Sequence, residues 1–274
     1  MTVLKRLSFA AAALVAGAVG FVAWSSWRTE ADIAAFQSRI AALGAAAPAP
    51  AVDGAAVAAL PEPVQRYFAF VFPGPVPAYS AVHLEAEGQF RRPLTEGFSP
   101  TTAEQVIAIG TPALMFSATT PVLPGIWARA YDYFAEGQME MRAKVLSTLT
   151  VVDERETPEL NRISLRRWLL ESALYPQALL PGGPVVWEPI DRTRARAVVS
   201  HGGLSASMVA QFDAAGRMTQ MVAEEEGDLT TPYHGSGEHV SRSDHRRVGN
   251  RLCCTNRLNA EAPLSPDGLI PQLP

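Results

Sequence analysis

The sequence predicts an α+β protein: an N-terminal transmembrane helix, then a curved, half-barrel-like antiparallel β-sheet with a helix packed over its concave face. Three observations carry this. Lys5-Arg6 precede an apolar run over residues 7–24 that only Ser8 interrupts. A helical segment ending at Tyr175-Pro176 interrupts a series of strand-like runs. Helices do not alternate with those runs, which argues for an antiparallel sheet rather than a doubly wound one.

The first element is long enough to cross a bilayer. Eighteen residues at about 1.5 Å each span roughly 27 Å, close to a hydrocarbon core of roughly 30 Å. Trp24 and Trp27 stand where interfacial aromatics belong, and Lys5-Arg6 would stay on the cytoplasmic side. The expectation is a single-pass protein of the cell inner membrane with its folded part on the periplasmic or extracellular side. A cleaved signal peptide is the alternative, since Ala16-Gly17-Ala18 resembles a cleavage site, but the run exceeds a signal core of about 7–15 residues.

Size and charge narrow the rest. The chain has 274 residues, 48% hydrophobic and 18% charged, enough for one substantial core and an appendage. A net charge of −4 gives no basic face for nucleic acid, so none is expected as a partner. The two cysteines, Cys253 and Cys254, are adjacent and imply no disulfide framework.

In order, residues 1–28 read as the anchor or signal segment and residues 29–59 as a helical stalk followed by an Ala/Pro linker. Ile33, Phe36, Ile40 and Leu43 give the stalk one apolar face. The sheet domain takes residues 60–234. Leu60-Pro61-Glu62-Pro63 opens a helix whose apolar face is Val64, Tyr67, Phe68, Val71 and Phe72, with Arg66 towards solvent. From Ala81 the period becomes two: Val82, Leu84, Ala86, Gly88 and Phe90 alternate with polar residues. Residues 105–109 and 113–118 are further strands. Residues 126–134 and 138–152 form a long hairpin.

Thr157-Pro158-Glu159 supplies a cap, a first-turn proline and an acid for the central helix. A meander follows, with turns at Asp191-Arg192-Thr193, His201-Gly202-Gly203 and Asp213-Ala214-Ala215-Gly216. Residues 235–274 have no apolar period and read as a disordered tail.

Several short stretches taken together resemble an uncharacterised bacterial family known only as a domain of unknown function. They are Leu60-Pro61-Glu62-Pro63-Val64-Gln65-Arg66-Tyr67, Gly88-Gln89-Phe90-Arg91, the region from Tyr131-Asp132-Tyr133 to Gly137, Tyr175-Pro176-Gln177-Ala178-Leu179-Leu180-Pro181, Trp187-Glu188-Pro189-Ile190-Asp191 and Phe212-Asp213-Ala214-Ala215-Gly216. The resemblance runs to about Tyr233. It implies an exported or membrane-anchored domain and supplies no catalytic residues. Family members continue beyond the Thr231-Pro232-Tyr233 step into further aromatic strands. Here those are missing, and the stretch from Gly235 reads as a shifted frame. The strand pattern also resembles the curved sheets of periplasmic lipoprotein carriers, at the level of fold alone.

The candidate site lies between the central helix and the sheet. Trp168, Leu169, Tyr175, Trp187 and Met208 are expected to line an apolar cleft, with Arg167 or Glu171 meeting a head group and Asp132 facing Glu171 across it; the plainer reading of the same residues is a solvated Arg167–Glu171 helix pair beside tryptophans that are ordinary core. The expected ligand is lipid-like. An enzyme, a hydrolase or isomerase with Asp132 and Glu171 as acid and base, is the second reading. A purely structural envelope module is the third. No glycine loop for phosphate, no dinucleotide fingerprint and no nucleophile elbow occurs, so no cofactor is expected. His234, His239, His245, Cys253 and Cys254 crowd the tail but match no ligand spacing, so no metal is expected.

Overall fold

The computed structural model describes residues 3–75, 79–91, 97–224, 239–241, 245–248 and 251–254. Helix α1 (Val3–Ala46) is continuous and carries an apolar stretch long enough to cross a membrane. Its first part is almost wholly exposed. The stretch expected as a stalk does not stand free. Ile33 and Ile40 are buried, with Phe36 and Leu43 beside them, against Ala108, Ala113, Met115, Tyr131 and Ala135. The apolar spacing was visible in the residues; its partner is the domain's own sheet. The segment after α1 includes a short helix, α2 (Gly54–Ala58), capped by Asp53.

Helix α3 (Glu62–Val71) buries Val64, Tyr67, Phe68 and Val71, as its spacing predicts. Arg66 is not simply solvated: it bonds Glu62 at 2.8 Å and the Arg192 carbonyl at 2.8 Å.

The strands form two principal sheets. The first is a six-stranded meander of β1 (Ala81–Arg91), β2 (Phe98–Ala108), β3 (Ala113–Leu123), β4 (Ile126–Ala135), β5 (Gln138–Val145) and β6 (Leu149–Arg155), each antiparallel to the next and not closed into a barrel. The arm expected over residues 138–152 is thus two strands. Leu146 and Ser147 both take positive φ, 52° and 55°, and Thr148 N–H closes the turn on the Val145 carbonyl at 3.0 Å. Leu-Ser-Thr lacks the glycine or asparagine that positive φ favours, so only the weak signal of Ser147 marked a turn there.

Helix α4 (Pro158–Glu171) begins where its cap predicts, with the Thr157 hydroxyl accepting from Leu160 N–H at 3.2 Å. The second sheet follows: β7 (Val185–Pro189), β8 (Arg194–His201), β9 (Leu204–Phe212) and β10 (Met218–Ala223), in the spatial order of the chain. Strand β11 (His239–Ser241) adds antiparallel to β10, and β12 (His245–Val248) pairs with β13 (Arg251–Cys254). The rest of the tail, with Thr231-Pro232-Tyr233, His234 and the side chains of His239, His245, Cys253 and Cys254, lies outside the described residues.

Helix α4 lies between the two sheets, touching β8 and β9 on one side and β3, β4 and β5 on the other. It buries Leu160, Ile163, Leu165, Trp168, Leu169 and Leu170 around much of its circumference, because apolar surface faces it from two directions. The sheets also touch at their turns. A Cβ on Gly202 would lie 2.9 Å from Gly137 Cα, and both glycines take positive φ, 58° and 80°. Only glycine at these two positions permits that approach.

Candidate functional site: the inner face of the six-stranded sheet

The register arranges the inner face of the six-stranded sheet in rows. Deepest under α4 run Val82, Ile107, Leu114, Phe134 and Met139, paired strand by strand. The next row is Leu84, Gln105, Phe116, Asp132 and Met141. Then comes Ala86, Ala103, Ala118, Ala130 and Ala143, ending on Val152. Side-chain volume therefore falls abruptly one row beyond the helix. At the outermost row Thr101 and Thr120 share a hydrogen bond of 2.8 Å.

An ionic cluster marks the step between the large and small rows. Arg167 Nη1 donates to Asp132 at 2.6 Å and its Nε to Glu171 at 2.8 Å. Gln105 Nε2 donates to the other Glu171 oxygen at 2.6 Å. The guanidinium carbon lies 4.6 Å from the centre of the Phe116 ring. Burial would lower the Arg167 pKa, but Glu171 and Asp132 outweigh it and raise it above its ordinary value. The cluster holds one more carboxylate than guanidinium. Its Arg167 side chain keeps 27% of its surface exposed, so it sits at the edge of the core.

The expected site residues divide into two groups. Asp132, Arg167 and Glu171 come together, with Arg167 as the bridge between carboxylates that were expected to face each other directly. Trp168, Leu169, Tyr175 and Met208 have no exposed surface, and Trp187 almost none. Their polar atoms are engaged within the chain. Trp168 Nε1 donates to the Ala108 carbonyl at 2.9 Å, Tyr175 OH to the Trp168 carbonyl at 2.5 Å, and Trp187 Nε1 to the Leu179 carbonyl at 3.0 Å. These five belong to the main core. Gln105 and Phe116 were missed. Gln105 had a signal, a polar residue in phase with Ile107 and Ile109; the alanine row had none until the strands were in register.

The outer face of the same sheet differs. Glu30, Glu85, Glu87 and Glu104 line an open cleft of about 560 Å³ with Thr102, Thr119 and Arg129. Arg129 Nε and Nη2 both donate to Glu30 at 2.8 Å. Beside it, Tyr131 OH donates to Glu140 at 2.5 Å; burial first, then that carboxylate, raises the phenol's pKa. Among the described residues no group of three or more His, Cys, Asp or Glu side chains is placed to hold a metal ion.

The architecture is that of an α+β domain, two antiparallel sheets around one helix, carried on an apolar N-terminal helix compatible with membrane anchoring. The chain belongs to a family of unknown function, DUF6920, whose model matches residues 58–263. That match passes Gly235 and takes in all three short tail strands, so the stretch read as a shifted frame lies within the family's matched length. No curated protein and no solved structure matches the chain.

Proposed function

We propose that this is a single-pass protein of the cell inner membrane that holds a lipid-like molecule against the inner face of its six-stranded sheet. The alanine row offers a low apolar floor for a hydrocarbon chain, because five strands each contribute a side chain of one carbon there. The Arg167 cluster would meet the polar end. With a carboxylate in excess, it suits a head group that donates hydrogen bonds or carries positive charge. Trp168, Leu169, Tyr175, Trp187 and Met208 act in this reading as the wall behind the cluster, not as ligand contacts. Lys5-Arg6 ahead of the apolar run would set the domain on the periplasmic side.

The observation that carries the reading is the step from bulky residues to alanine immediately beside a partly exposed guanidinium. Native mass spectrometry of the full chain, released from nanodiscs, tests it. The wild-type chain should retain a lipid-sized adduct, and Ala130→Trp should lose it by filling the floor. A wild-type chain that is always bare, or an Ala130→Trp chain with equal occupancy, would overturn the proposal.

A second reading, acid–base chemistry by Asp132 and Glu171, draws on one observation: both carboxylates reach the same guanidinium. Both also accept hydrogen bonds from within the chain, Asp132 from Arg167 and Glu171 from Arg167 and Gln105, so their oxygens are already engaged, which suits a binding cluster better than a free acid–base pair.

A further inference from the structure

The contacts between α1 and the six-stranded sheet follow one order. Arg39 pairs with Glu136 at the β4–β5 turn. Glu30 then meets Arg129, and Lys144 Nζ donates to Thr29 at 3.0 Å. Last, Ser25 Oγ donates to the Ser147 carbonyl at 2.5 Å, in the β5–β6 turn. Moving towards the N-terminus of the helix is therefore moving towards the end of the sheet that holds the β3–β4 and β5–β6 turns and the start of β2. The exposed apolar run of α1 ends at Trp24, one residue before Ser25. No spacer separates the membrane-crossing stretch from the sheet.

At that end the β3–β4 tip is apolar and uncharged, whereas β1 brings Arg91 opposite Phe98. Leu146 N–H bonds the Trp127 carbonyl at 2.9 Å, so Trp127 stands beside the Ser147 turn. Trp127 pairs with Pro121, and the β3–β4 tip continues beyond it to Leu123 and Ile126. Two residues of strand carry the chain about 7 Å further. The tip reads Val122-Leu123-Pro124-Gly125-Ile126-Trp127, without a charge. Leu123 is 61% exposed, Leu149 after the next turn 63%, and Phe98 at the start of β2 46%. Exposed large apolar residues rimming one end of a fold mark an interaction surface.

We propose that this rim, Phe98, Leu123 and Leu149, enters the lipid interface beside Trp24 and Trp27, giving the domain a second membrane contact. The occupant is the bilayer that holds α1, since the rim is continuous with the level at which the helix leaves it. The alanine and threonine rows run out at this same end, so a lipid would pass between bilayer and inner face without crossing water. This rests on the membrane reading of α1 and sharpens it.

The test uses the full chain, with Cys253→Ser and Cys254→Ser, in phosphatidylcholine vesicles containing a doxyl-labelled quencher lipid. Single cysteines at positions 14, 79, 123 and 149 each carry an environment-sensitive fluorophore. Position 14 reports the helix, and position 79, just before β1, the opposite end of the sheet. Quenching of at least twofold at 14, 123 and 149, with none at 79, is the expected result. Quenching at 14 alone overturns the rim contact and leaves the anchor standing. No quenching at 14 overturns the anchor and this inference with it.

Discussion

The two sheets share one core and differ in what covers their other faces. Both are antiparallel meanders, and both lay an apolar face on α4. The six-stranded sheet carries α1 on its far side, so Met115 and Tyr131 are buried there as firmly as Leu114 and Phe134 are beneath α4. The five-stranded sheet has charged residues on its far side. Arg196 lies between Glu188 at 2.9 Å and Glu224 at 2.6 Å, and these bonds raise its pKa without burial. The six-stranded sheet is thus buried on both faces where α1 and α4 cover it, and the five-stranded sheet is built of amphipathic strands. Strand β9 shows the second kind, with Ala206, Met208, Ala210 and Phe212 buried in alternation.

Four tests break or sharpen that contrast. The largest effect belongs to Trp168→Ala, which empties the core common to both sheets. It should cost about 3–5 kcal/mol, and urea unfolding should show both sheets lost together. Ile40→Ala touches only the outer covering of the six-stranded sheet. It should cost about 2–4 kcal/mol and raise hydrogen exchange in β2 and β3 while leaving β8 and β9 protected. Arg167→Met leaves Asp132 and Glu171 facing each other. A cost of about 2 kcal/mol is expected, below the fully buried case because the cluster is partly exposed. Adding Asp132→Asn and Glu171→Gln should recover most of it in the same unfolding experiment.

The smallest effect is a pH dependence at the contact between sheets. His201 stands near the Gly137–Gly202 approach, and burial lowers its pKa below 6.5, with Glu136 opposing. The unfolded chain therefore binds the proton more readily, so stability is complete above about pH 6.5 and declines as pH falls below it. His201→Gln should flatten that decline, measured as the unfolding midpoint between pH 7.5 and 5.5.

Much of this was legible in the residues. The cap at Thr157, the alternation of β9 and the glycine turns of the second sheet follow from local chemistry. The Arg167–Glu171 pair also follows from its i,i+4 spacing on α4, whereas the meeting of Arg167 with Asp132 depended on how α4 lies across β4. What could not be read depended on register or on distant partners. The alanines of β1 to β5 look unremarkable singly and become a floor only when aligned. Trp168 and Tyr175 were expected at a cleft because large aromatics serve either use; α4 meeting two sheets at once decided for the interior.

The unbroken run of α1 from its apolar start to the sheet also limits how far the domain travels. A module on a loose leash sweeps a wide hemisphere and can ferry cargo across a compartment. Were its first turns held in a bilayer, as proposed, this one would have no leash, and its attitude to the surface would be fixed. In the lipid-holding reading proposed above, exchange with it would be a two-dimensional encounter, set by lateral diffusion within a single leaflet.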